Sequence, residues 1–172
     1  MIIIRIAEEK DIAEILGIYN WSILNTTSVY SNTPHTLEMR KKWFEEKKAA
    51  NHPVLVAEKD NKVVGFISYG PFRSWPGYKY TVEHSVHVDK DHRRQGIAGM
   101  LLKKLIEAAR QNEVHAIIGG IDASNTASVK LHEQYNFREV GHLKEVGFKF
   151  NKWLDLKFLE LVLDTPKDPI EG

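Results

Sequence analysis

The stretch Asp91-His92-Arg93-Arg94-Gln95-Gly96-Ile97-Ala98-Gly99 has the residue types that meet an anion. It falls between a run that reads as a strand, Thr81 to Val88, and one that reads as a helix, Ile97 to Ala109. Small residues at 96, 98 and 99 let the main chain come close to a ligand. The free N–H groups of a helix's first turn, and the positive end of its dipole, attract phosphate. Arg93 and Arg94 add charge. The same residues equally describe a solvated basic turn ahead of an ordinary helix, so two readings stand. No Gly-Lys-Ser/Thr follows, and Gly-x-Gly-x-x-Gly is missing. Nucleotide hydrolysis and hydride transfer therefore lose ground.

Other reactive types are scattered. Glu83 lies inside a strand pattern, where glutamate is depleted; it either faces solvent beside a lysine or has work to do. His132 exchanges protons near neutrality, or simply packs on its helix. A zinc hydrolase does not fit. His132-Glu133 is followed by Asn136 where His-Glu-x-x-His needs its second histidine, and His84 and His87 lie three apart on a strand, on opposite faces. Ser68 is framed as Gly65-Phe-Ile-Ser68-Tyr-Gly70, which is not Gly-x-Ser-x-Gly. The chain has no cysteine, which excludes disulfides, thiolate metal sites and a cysteine nucleophile. No metal is expected.

The elements that must position these residues are legible from periodicity. Ile2 to Ala7 reads as a strand, and Asp11 to about Asn20 as a helix, with Ile12, Ile15, Leu16 and Tyr19 on one face. Thr36 is a predicted N-cap for a helix reaching about Ala50, anchored by Trp43 and Phe44. Val54 to Glu58 and Val63 to Tyr69 form a predicted hairpin across Asp60-Asn61-Lys62, and Gly70 to Gly77 a loop. After Thr81–Val88, the helix Ile97–Ala109 carries Leu101, Leu102, Leu105 and Ala109 on one face. Val114 to Ile121 reads as a strand, Ala127 to Tyr135 as a helix, and Phe137 to Gly141 and Trp153 to Leu163 as closing strands. Helices among hairpins predict an α+β, mixed α/β protein with a mostly antiparallel sheet.

The 172 residues predict one domain over 1–165, with Pro166 to Gly172 a frayed polar tail. The 24 basic and 23 acidic residues leave a formal charge of +1, so no global field favours nucleic acid or an anionic membrane. Ile2-Ile3-Ile4 lacks a basic leader and runs into Glu8, Glu9 and Asp11, which reads as neither signal peptide nor membrane span. A cytoplasmic protein is expected.

Arg93-x-x-Gly96-x-Ala98 resembles the pyrophosphate loop, (Gln/Arg)-x-x-Gly-x-(Gly/Ala), of the GNAT superfamily of acyl-CoA N-acyltransferases. Asn125-x-x-Ser128-x-x-Leu131-His132 followed by Phe137 is similar to that superfamily's late Asn-x-x-Ala-x-x-Leu-Tyr…Gly-Phe segment. Two positions depart from it: His132 stands where tyrosine is commoner, and Asn136 where glycine precedes phenylalanine. Asparagine also enters the left-handed region that such a turn needs. Thr81-Val82-Glu83-His84-Ser85-Val86, Val146-Gly147-Phe148-Lys149 and Trp153-Leu154-Asp155-Leu156 resemble the acetyltransferases of phosphinothricin, methionine sulfoximine and methionine sulfone.

The resemblance implies a fold whose central strands, here Thr81–Val88 and Val114–Ile121, splay around acetyl-CoA. It implies that Val86, His87 and Val88 pair with the pantetheine arm through their main chain. The diphosphate then lies on Arg93, Arg94, Gln95, Gly96, Ile97, Ala98 and Gly99, and Asn125, with Ser128 near it, serves the arm or the thiol end. Acetyl transfer needs a neutral amine, so a base must stand within hydrogen-bond reach. Glu83 is the first candidate, directly or through water, and His132 the second, as acid for the departing thiolate or as a partner in the base role. Arg73, in the loop Phe72-Arg73-Ser74-Trp75, suits the carboxylate of a small acceptor. Tyr30, Phe72 and Trp75 are candidates to wall its side chain; Ser74, His84 and Ser85 complete the acceptor candidates. The expected protein is a homodimeric acetyl-CoA-dependent N-acetyltransferase of a small amino-acid-like amine. The rival readings are another acceptor (polyamine, aminoglycoside or protein N-terminus) and a non-catalytic acyl-CoA sensor.

Overall fold

The computed structural model describes residues 1–171. Along the chain come β1 (Ile2–Ile6), α1 (Ile12–Asn25), α2 (Leu37–Ala49), β2 (Val54–Lys59), β3 (Lys62–Pro71), β4 (Thr81–Val88), α3 (Ile97–Gln111), β5 (Ala116–Asp122), α4 (Thr126–Gln134), β6 (Arg138–Lys149) and β7 (Lys152–Val162). Strands are neighbours in the order β1-β2-β3-β4-β5-β7-β6, an open sheet. The pairs β1–β2, β2–β3, β5–β7 and β6–β7 are antiparallel, while β4 and β5 run parallel. This is the mixed α/β class with a mostly antiparallel sheet. Contacts group the chain into two compact units: Met1–Ser68 with Val86–Leu105, and Tyr69–Ser85 with the chain from Ile106 onward. Among the described residues no helix is long and apolar enough to cross a membrane.

In the first unit, β2 and β3 turn on two residues, Asp60 and Asn61, at φ 51° and 60°. Both sit in the left-handed region that a tight I′ hairpin demands and that Asp and Asn enter readily. Lys62, expected in the turn, opens β3 instead. α1 outruns its predicted end at Asn20 because Ser22 and Ile23 continue its buried stripe of Ile12, Ile15 and Ile18. Arg5 of β1 grips Asp11 just ahead of α1 through two bonds of 2.6 and 2.8 Å and reaches Glu58 of β2 at 2.8 Å. Thr36 caps α2, its Oγ1 accepting from Met39 N–H at 3.2 Å. The core is Ile12, Ile15, Ile18, Phe44, Val54, Val56, Val63 and Phe66, with Tyr19 and Trp43 against it.

In the second unit, β4 and β5 pair from Thr81↔Ala116 to His84↔Gly119, where their ladder ends. β5 goes on pairing with β7 to Asp122↔Leu156. β5 starts at Ala116 rather than Val114 because Val114 N–H still closes the preceding helix on Ala109 O, at 2.9 Å. β6 is far longer than the predicted Phe137–Gly141. Its alternation is broken by register shifts at Glu139/Gly141 and Leu143/Gly147, with Glu145 left-handed (φ 53°) and its N–H held by Asp155 Oδ1 at 2.9 Å. The tail expected to fray is tied: Tyr80 OH donates to Ile170 O (3.2 Å) and accepts from Ile170 N–H (3.1 Å). Its last residue, Gly172, lies outside the described residues.

Candidate functional site

The site candidates fall into one group in each unit. In the first, a 3-10 turn over Lys90–His92 ends at Arg93, and α3 begins at Ile97. Asp89 braces that turn, its Oδ1 accepting from Asp91 N–H at 3.0 Å and lying 2.9 Å from His92 Nδ1. Arg94 (φ 61°) and Gly96 (φ 76°) are both left-handed, on either side of Gln95. Alternating handedness of this kind gathers successive N–H groups into an anion-binding concavity. Arg93 to Gly96 are exposed, while Ile97 and Gly99 are buried beneath the start of the helix. The Arg93 guanidinium lies 4.5 Å from the centre of the Trp21 ring, and Lys59 donates to Gln95 Oε1 at 3.3 Å. Two arginines and a lysine thus gather at the N-terminal end of α3, a charge arrangement that suits a multiply charged anion.

The side chain of His87 does not belong to that surface. It is 5% exposed, stacked on Phe66 (5.1 Å), edge-on to Tyr19 (5.3 Å) and 3.3 Å from Ser22 Oγ. Burial, then the charges of Arg40 and Arg93, push its pKa down to about 4. Only its main chain is left for a ligand.

In the second unit, Glu83 stands on β4 opposite Ile118 of β5. Its carboxylate reaches over Gly120, so that a methyl group at Gly120 would lie 2.9 Å from Glu83 Oε1. That methyl would also meet Leu156 and Phe158 of β7, each at 3.7 Å, so Glu83, Gly120, Leu156 and Phe158 share one face. Phe72 meets Phe158 edge-on at 6.3 Å and Tyr78 at 5.7 Å, and the Arg73 guanidinium lies 5.1 Å from the Phe72 ring centre. Glu83 is open to solvent yet crowded by protein, and this partial burial raises its carboxyl above the usual range while Arg73 pulls it down. A poised carboxylate, a nearby guanidinium and two phenyl rings suit a small molecule carrying an amine and an acid.

The other face of β4 carries His84. Its Nε2 lies 3.0 Å from Nε2 of His132, the rings stacking at 5.0 Å, and His132 Nδ1 lies 2.7 Å from Ser128 O. Phe137 closes on His132 edge-on at 5.1 Å. Gly119 makes room for both rings, since a methyl there would meet His84 Nε2 at 3.2 Å and His132 Nε2 at 3.4 Å. Burial lowers the His132 pKa, against the pull of the Ser128 carbonyl. Asn125 caps α4, its Oδ1 accepting from Ser128 N–H at 3.1 Å, which leaves its NH2 group as a donor at an exposed position.

The structure thus brings together Glu83, Phe72 and Arg73 on one face and His84, His132 and Ser128 on the other. Ser85 and Ser74 are exposed, and Trp75 is exposed at the head of the Pro76–Tyr78 turn. Tyr30 belongs to the first unit, in the coil between α1 and α2. Sequence reasoning missed Gly119, Gly120, Leu156 and Phe158. The signal for the glycines was present, because a Gly-Gly pair inside an apolar strand marks close approach of neighbouring groups.

The strand order, the parallel β4–β5 pair and the turn opening α3 define a GNAT-type fold. The chain belongs to the acetyltransferase (GNAT) family, whose model matches residues 15–137. It is 39% identical to the L-methionine sulfoximine/L-methionine sulfone acetyltransferase of Salmonella typhimurium, covering 96% of this chain and 97% of that protein. It is 40% identical to the L-amino acid N-acyltransferase MnaT of Escherichia coli, over 96% of each chain. Its fold matches the crystal structure of a phosphinothricin acetyltransferase from Sinorhizobium meliloti in complex with acetyl-CoA, with a TM-score of 0.95, 28% identity, and 99% of this chain and 94% of that one covered.

Proposed function

We propose that this chain transfers the acetyl group of acetyl-CoA to the amino group of a small amino-acid-like acceptor of the methionine sulfoximine, methionine sulfone or phosphinothricin kind. The observation that carries this reading is Glu83, crowded over Gly120 with a raised carboxyl and with Arg73 close enough to act on it. A base that removes a proton from an ammonium must be ionised yet basic enough, and a carboxylate lifted by partial burial is more basic than an ordinary one. Glu83 takes the proton, directly or through water. Arg73 holds the acceptor's carboxylate, and Phe72 with Phe158 walls its side chain.

Acetyl-CoA supplies an acyl carbon activated as a thioester: the new C–N bond forms, the C–S bond breaks, and CoA departs as a thiolate that takes up a proton. The Arg93–Gly99 turn would hold its diphosphate, since Arg94 and Gly96 already place the main chain in the left-handed conformations of an anion-binding turn. On the resemblance, the main chain of Val86, His87 and Val88 would receive the arm, and Asn125, whose NH2 group is an exposed donor, is the proposed partner of the arm or the thiol end. The early end of the β4–β5 ladder, at His84↔Gly119, fits that role. A homodimer is proposed on the resemblance alone, since members of this superfamily are often dimeric; the cysteine-free composition accords with a cytoplasmic setting. The proposed chemistry calls for no metal.

The test is thiol release from acetyl-CoA in the presence of phosphinothricin, methionine sulfoximine, methionine sulfone, common amino acids and polyamines. Turnover with the amino-acid analogues supports the reading. Turnover with polyamines alone overturns the acceptor, and no turnover with any amine, despite binding of acetyl-CoA, replaces the enzyme by a sensor.

A further inference from the structure

The tautomers of the two buried histidines in the second unit follow from their partners. A carbonyl oxygen only accepts, so at 2.7 Å from Ser128 O the His132 Nδ1 must carry a hydrogen. His132 is 2% exposed, and burial disfavours its cationic form. In the neutral ring Nε2 then has a lone pair and no hydrogen. That atom lies 3.0 Å from His84 Nε2, so the hydrogen between the rings belongs to His84. The chain of bonds runs one way, from His84 Nε2–H to His132 Nε2 and from His132 Nδ1–H to Ser128 O.

This arrangement changes what His132 can do. Its one hydrogen is spent on a carbonyl of its own helix, its lone pair is spent on His84, and the ring is enclosed by His84, Phe137 and Gly119. It has no proton to hand to a departing thiolate. His84, by contrast, follows Glu83 directly and forms the last rung of the β4–β5 ladder, opposite Gly119. A ring fixed there holds β4 at the point where the carboxylate is presented.

We infer that His132 is a positioning residue: it locks His84 as the Nε2–H tautomer and so pins β4 beside Glu83. The inference deepens the acetyl-transfer reading and rests on it for its kinetic consequences, but its structural content stands apart from turnover.

The experiment is a long-range 1H–15N correlation spectrum of 15N-histidine-labelled protein near neutral pH, with wild type, His132→Phe and His132→Gln compared. In wild type, His132 should show a protonated Nδ1 and bare Nε2, and His84 a protonated Nε2. Either ring in the opposite tautomer, or averaged between the two, overturns the proposal. His132→Phe keeps the ring shape without an acceptor: the His84 Nε2–H should lose its hydrogen-bonded signal, and kcat should fall about tenfold to a hundredfold with KM for acetyl-CoA little changed. Glutamine places an acceptor oxygen near the lost Nε2, so His132→Gln should restore the hydrogen-bonded His84 Nε2–H signal and most of kcat. A direct acid or base role makes Gln as inactive as Phe, and that result contradicts the proposal. Absence of acetyl transfer in wild type, with the expected tautomers seen, would remove the enzymatic reading alone.

Discussion

Glu83 Oε1 occupies the space that a side chain on Gly120 would enter, 2.9 Å from where its first carbon would stand. The carboxylate of β4 therefore depends on a missing side chain in β5, two residues beyond its paired position Ile118. Gly120→Ala should displace the carboxylate while the fold survives, because the clash is with the end of a flexible side chain. We expect kcat/KM to fall by about a hundredfold, the scale of a misplaced reacting group, with the thermal midpoint nearly unchanged. Steady-state kinetics beside a melting curve would check it; full activity in the variant would show that Glu83 does not depend on that space.

The raised carboxyl of Glu83 fixes the sign of two pH effects. Between the ordinary carboxylate pKa and the raised one, the native state binds more protons than the unfolded state, so stability falls as pH rises through that window. Glu83→Gln removes the penalty, and should be at least as stable as wild type at neutral pH and show less loss of stability across the window. The acid limb of kcat/KM in wild type should stand above the usual carboxylate range. Chemical denaturation at a series of pH values, and a pH–rate profile, measure the two effects.

His87 has the opposite sign. Its folded pKa is pushed down to about 4 from the ordinary imidazole value of 6.5. Over that window the unfolded state binds the extra proton, so stability is fully present above 6.5 and drains away as pH falls toward 4. The single group contributes up to about 3 kcal/mol to that loss. His87→Phe, which keeps a ring against Phe66, should flatten the slope of unfolding free energy between these limits. An unchanged slope would assign the acid sensitivity elsewhere.

At the anion turn, Gly96 sits at φ 76°, where an alanine is strained by about 1–2 kcal/mol. Gly96→Ala should therefore raise KM for acetyl-CoA by about tenfold, the equivalent of 1.4 kcal/mol, and leave kcat at saturation nearly intact. Isothermal titration with acetyl-CoA would show the same loss, and a variant that binds normally would move the diphosphate away from this turn.

The elements were legible wherever periodicity and chemistry agree, as in Thr36 capping α2 and Thr81–Val88 forming β4 with the predicted bounds. β6 was not, since its two register shifts and the left-handed Glu145 break alternation. Glu83 could be picked out because glutamate is a misfit in a strand, and the Arg93–Gly99 turn because its small residues and arginines are contiguous. The rest of the site depends on register. Phe158 reaches the Glu83 face only because it pairs with Gly120 across β5 and β7. His84 and His132 are 48 residues apart, and their shared hydrogen bond requires α4 to pack on the strand face opposite Glu83.

The central claim is that Glu83 takes the proton from the acceptor amine, and Glu83→Gln tests it most directly. With methionine sulfone as acceptor, thiol release should fall about a hundredfold or more, while calorimetry should show acetyl-CoA bound as tightly as by wild type. A Glu83→Gln enzyme that turns over at the wild-type rate would contradict the account.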